Sequence, residues 1–120
     1  MLLGALFITP FFMSAQSVVG SWLMEGTTES GAKIMNKISF LASGDMTVDF
    51  ANDGSIEVKA TYTQTGDKVS ITATSKEDPC SGTVGVYQVT IAGNTCTAKV
   101  VNDPCDARRG DGTPMVMTKA

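Results

Sequence analysis

From Val18 onward the apolar residues of this chain alternate with polar ones in short runs, and a turn signal closes each run. No segment sustains a helical period over ten residues, so the pattern is that of half-buried strands joined by short connections. It predicts eight strands, at Val18–Met24, Ile34–Leu41, Met46–Phe50, Ile56–Gln64, Lys68–Thr74, Val84–Ile91, Thr95–Val101 and Pro114–Lys119. Ser43-Gly44-Asp45, Asn52-Asp53-Gly54, Gly66-Asp67 and Gly93-Asn94 supply tight turns, where Gly and Asn reach positive φ at little steric cost. The expected fold class is all-β, a single eight-stranded antiparallel up-and-down β-barrel, because closure removes the exposed sheet edges.

The 120 residues suffice for one domain, assigned to 18–120. Residues 1–17 read differently. Leu2 to Met13 is an uncharged apolar run, interrupted by Thr9-Pro10 and too short to span a bilayer as a helix. Ala15-Gln16-Ser17 then offers a small-residue cleavage pattern ending before Val18. We read 1–17 as a signal peptide whose basic n-region is missing, since no Lys or Arg precedes residue 33. The alternative is an apolar segment that stays attached and packs against the domain. Export to a secreted or periplasmic location suits the cysteines, because disulfides persist in oxidising compartments. No integral membrane segment is expected in the mature chain.

Nine basic and twelve acidic side chains give a net charge of −3, all of it after residue 17. Arg108-Arg109 is the one adjacent basic pair, and Asp106 and Asp111 flank it. That balance argues against nucleic acid as a partner, since a phosphate-binding surface needs a basic excess. The chain has no histidine. A His-activated serine or cysteine nucleophile is therefore excluded, as are the usual His-based zinc and copper sites. The densest acidic loop holds Asn102, Asp103, Asp106 and Asp111 without an EF-hand spacing, and it contains two arginines. Solvated charges paired with Arg108 or Arg109 are the expectation there, not calcium. No carboxylate dyad has a catalytic spacing, so no enzyme activity, cofactor or metal is expected.

Loop lengths sharpen the picture. In an up-and-down meander alternate connections share an end, and the long ones, Glu25–Lys33, Ser75–Thr83 and Asn102–Thr113, all fall at one end. Two matching turns, Asp78-Pro79-Cys80 and Asp103-Pro104-Cys105, lie in the latter two. Of the three pairings open to the cysteines, Cys80–Cys105 is favoured, as a structural staple rather than a redox centre. Cys96 opens the seventh strand at the far end and is expected as a small buried apolar residue.

Alternation also sorts the lumen. The inward set includes Trp22, Phe40, Met46, Phe50, Ile56, Tyr62, Tyr87 and Ile91. Trp22, Phe40, Met46, Tyr62 and Ile91 lie toward the tight-turn end and should plug it. Ala73 and Gly85 lie nearer the long loops, with Ala60 and Ala98 midway. A cavity should therefore open beside the cysteine loops. Phe50, Ala73 and Tyr87 are candidate ligand-binding residues at its entrance. Arg108 or Arg109 is a candidate for gripping a ligand carboxylate or phosphate, in competition with pairing to Asp78, Asp103 or loop carbonyls.

Gly20-Ser21-Trp22, a Gly-x-Trp at the start of the first strand, resembles the opening of lipocalins and related calycin barrels. Gly85-Val86-Tyr87 and Asp103-x-Cys105-x-x-Arg108 resemble bacterial secreted lipocalin-like domains, most of them without an assigned function. The resemblance spans roughly residues 18–119. It implies that Trp22 closes the barrel bottom and that a basic residue of the last strand, here Lys119, packs across it. The chain departs from the pattern in being shorter, in lacking the C-terminal helix, and in carrying Lys119 where an arginine is usual. The function implied is binding of a small apolar or amphipathic ligand at the long-loop end. The alternative is a filled barrel whose long loops bind or inhibit a protein partner.

Overall fold

The computed structural model describes residues 16–120. The signal-peptide expectation, apart from Gln16 and Ser17, lies outside the described residues. Eight strands follow in chain order: β1 (Gly20–Thr27), β2 (Lys33–Phe40), β3 (Asp45–Asp49), β4 (Val58–Thr65), β5 (Lys68–Ala73), β6 (Val84–Ala92), β7 (Thr95–Asn102) and β8 (Met115–Lys119). Each pairs antiparallel with the next, and β1 pairs with β8, so the sheet is a closed up-and-down barrel as the alternation predicts. One helical turn, α1 (Asp106–Arg109), sits in the last connection.

The period-2 pattern segregates the faces. Trp22, Ile38, Phe40, Tyr62, Val69, Tyr87, Val89, Ala98 and Met117 point inward and are buried. Removing such a large side chain from water stabilises by roughly 1.5–3 kcal/mol each. Lys59, Thr61, Thr63, Thr90, Lys99 and Thr118 alternate with them and are exposed. That polarity is the reverse of a membrane barrel, whose outer band is apolar. Among the described residues no helix is long and apolar enough to cross a membrane.

Two boundaries depart from expectation. β1 runs on to Thr27 because Glu25, Gly26 and Thr27 still find ladder partners in Met35, Ile34 and Lys33. The expected long connection Glu25–Lys33 thereby shrinks to a turn closed by Thr28, whose backbone N–H donates to the Ala32 carbonyl at 2.8 Å. The other correction concerns Phe50 and Ile56, expected as inward strand residues. β3 ends at Asp49, and both side chains lie in the β3–β4 connection, 44% and 45% exposed. The cause is the buried Asp49, whose two carboxylate oxygens accept the N–H groups of Asp53 and Gly54, each at 2.9 Å. Asn36 Oδ1 accepts the Ala51 N–H at 3.0 Å, and Ala51 itself takes a left-handed φ of 66°. This connection is a shaped loop, not a tight turn.

The end where the chain enters is closed by side chains. Val18 is fully buried, and the Trp22 indole N–H donates to its carbonyl at 2.9 Å. Tyr62 meets Phe40 edge-on at 5.0 Å and donates its hydroxyl to the Leu41 carbonyl at 2.7 Å. Lys119 pairs with Trp22 in the β1–β8 ladder and holds its ammonium 4.8 Å from the indole centroid, within cation–π range. Gly20 makes this contact feasible. Its φ of +133° disfavours any side chain, and a Cβ there would stand 3.1 Å from Lys119 Nζ.

Candidate functional site

Above that floor the lumen is not filled. A cavity of about 460 Å³ runs from Val18 and Phe40 toward the opposite end. Its walls include Ala60, Ala73 and Ala98, where the strand pattern turns small residues inward. Ala60 and Ala73 face each other directly across the β4–β5 ladder, so two neighbouring strands contribute no bulk at one level. The mouth is formed by Phe50 and Glu57 of the β3–β4 connection, by Glu77 to Cys80, and by Ala107 and Arg108.

The two Asp-Pro-Cys turns meet at this mouth. Cys80 and Cys105 are joined, their Cα atoms 5.6 Å apart. The turns repeat one local device: Asp78 Oδ1 accepts the Cys80 N–H at 2.7 Å, and Asp103 Oδ1 accepts the Cys105 N–H at 3.0 Å. Proline has no N–H of its own, so the aspartate reaches the next donor along the chain.

Beside the disulfide lies a buried polar latch. The Asp103 carboxylate has no exposed surface and is held by Arg108 through Nε at 2.6 Å and Nη2 at 2.8 Å. Nη2 also donates to the Thr83 carbonyl at 3.0 Å, and the Tyr87 hydroxyl donates to Asp103 Oδ2. Gly85 creates the space, since a Cβ there would lie 2.5 Å from Asp103 Oδ2. A register shift between Val86 and Tyr87 marks a bulge at the same place, a feature that re-aims a strand end. Burial alone would raise the Asp103 pKa. Arg108, Tyr87 and the Cys105 N–H outweigh it and hold the carboxyl at about 2. Burial and the adjacent Asp103 push the Tyr87 hydroxyl well above its ordinary value.

Of the residues singled out from the sequence, Phe50, Ala73, Tyr87 and Arg108 all line the cavity. Arg109 does not. Its guanidinium donates to the Asp103 carbonyl at 3.0 Å and pairs with Asp106 on the outer side of α1. Arg108 is largely engaged within the protein. Nε and Nη2 serve Asp103 and Thr83, and Nη1 is buried without a partner or an accessible surface. Pairing with Asp103, one of the two readings left open by the sequence, is the one found.

Cys96 is buried and unpaired, its thiol pKa raised by burial. Asp49, Asp53 and Glu57 bring carboxylate oxygens within 4.8 Å of one another. These oxygens already accept the N–H groups of Asp53, Gly54, Ser55 and Phe50, which accounts for the cluster as loop architecture. Sequence reasoning missed the acidic mouth. No motif singles out Glu57 or Glu77, although the position of Glu77-Asp78 beside Cys80 was a signal that these two lie near the disulfide. No family model matches this chain, and no curated protein matches it.

Proposed function

We propose that the chain is an exported, lipocalin-like binding module that takes a small apolar or amphipathic molecule into its barrel through the long-loop end. The carrying observation is the cavity of about 460 Å³, floored by Val18 and Phe40 and open beside Cys80. Pockets that enclose small molecules run from about 300 to 1,000 Å³ with mostly apolar walls, and this one falls in that range. Export is supported by the disulfide and by the apolar leader. The lipocalin-like reading is supported by the closed barrel, the Gly20–Trp22–Lys119 closure, and the physical use found for Gly85, Asp103 and Arg108.

A second reading, in which the loops bind or inhibit a protein partner, draws on Phe50 and Ile56, each nearly half exposed beside the mouth. Native mass spectrometry of protein purified from its own host separates the two. Added mass that organic extraction removes is the expected result. Bare protein that also shows no saturable uptake of the neutral probe N-phenyl-1-naphthylamine overturns the cavity reading and favours the second.

A further inference from the structure

We infer that the cavity selects the charge of its ligand's polar head, preferring a cationic or uncharged head and turning carboxylate-headed amphiphiles away. The inference rests on the binding reading above and names the ligand class for that same site. An amphipathic molecule entering apolar end first leaves its head at the mouth. Three carboxylates line that rim, Glu57, Glu77 and Asp78. Asp78 and Glu57 each give one oxygen to a loop N–H, Cys80 and Phe50 respectively, which fixes them beside the opening.

Among the described residues lining the cavity, the one cation is Arg108. Its charge is matched at 2.6 Å by Asp103, a carboxylate with no exposed surface. Nε and Nη2 of Arg108 are taken by Asp103 and Thr83, and Asp103 is held in turn by Tyr87 and the Cys105 N–H. The one unpartnered donor, Nη1, has no accessible surface for a ligand carboxylate to meet. The Arg108–Asp103 pair is neutral as a unit, so the rim's excess is the three negative charges of Glu57, Glu77 and Asp78. Lys76 adjoins Glu77 in the chain but is exposed and does not line the cavity.

The test uses three ligands that differ only in their heads: decyltrimethylammonium, decanol and decanoate, each below its micellar concentration. Displacement of N-phenyl-1-naphthylamine is read at about 10 mM and about 0.5 M salt, where the screening length falls from roughly 30 Å toward a few ångströms. At low salt the expected order of affinity is cation, then alcohol, then carboxylate, with roughly tenfold between the extremes. At high salt the spread should narrow. The combined substitution Glu57→Gln, Glu77→Gln and Asp78→Asn should remove the cation's advantage over the alcohol. The amide oxygens can still accept the Cys80 and Phe50 N–H groups. Decanoate binding as tightly as decyltrimethylammonium at low salt overturns the charge inference and leaves the cavity reading standing. If none of the three displaces the probe, the cavity reading fails, and the charge inference with it.

Discussion

At the end where the chain enters, Val18, Trp22, Phe40 and Tyr62 fill the lumen and tight turns join the strands. At the opposite end the lumen stays open, and a disulfide and a buried ion pair hold the connections together. The contrast shows two ways of closing a small barrel. Packing is strong and non-directional, but it consumes the interior. An end that must stay open forgoes that packing, and covalent and charge-assisted contacts placed in the loops order it instead.

The first way to break the comparison is Trp22→Ala. It should destabilise by about 3–5 kcal/mol, as large-to-small changes of buried aromatics do, measured by chemical denaturation. It should also deepen the cavity downward, so a longer alkyl chain gains affinity relative to a shorter one. At the open end the counterpart is the pair Cys80→Ser and Cys105→Ser. Losing a crosslink across 25 positions should remove roughly 3.5 kcal/mol on chain-entropy grounds. Amide exchange should rise in 74–83 and 103–114 well before it rises around Trp22. Equal acceleration at both ends would show that the staple supports the whole barrel and not its mouth.

Acid provides a smaller and more selective probe. Asp103 has a folded pKa of about 2 against 3.8 for an unperturbed aspartate, so its contribution is fully present above about pH 5 and is lost as pH falls through about 2. The loss should amount to about 2 kcal/mol, read as a falling denaturation midpoint. Asp103→Asn should start less stable and show a flatter slope over that window. Smallest is Lys119→Met at the closed end. It keeps the stem over Trp22 and removes the charge, for a loss of about 0.5–1 kcal/mol that does not reach the mouth.

How far these features could be read from the chain follows from the range of the forces that set them. Strand number and face follow from alternation, which is local, so Trp22, Tyr62, Val69 and Tyr87 could be turned inward from the sequence. The Cys80–Cys105 pairing follows from loop parity in a meander, which needs only the strand count. Phe50 and Ile56 misled because Asp49 caps a loop through backbone N–H groups, a contact that outcompetes apolar alternation over so short a stretch. The Glu25–Lys33 connection misled because two exposed strands can keep zipping for as long as their N–H and C=O groups find partners.

What the sequence by itself determined is thus the closed eight-stranded barrel, its disulfide, and the inward-facing Trp22 at its floor, while the packing of Lys119 across that Trp was implied by the resemblance. Only the tertiary structure decided that Arg108 and not Arg109 takes the Asp103 carboxylate, and that Glu57, Glu77 and Asp78 converge on one rim. The physical reason is that the rim joins separate connections of the barrel, Glu57 before β4 and Glu77-Asp78 between β5 and β6. Their meeting depends on how the strands tilt and stagger as the barrel closes, which local alternation does not encode.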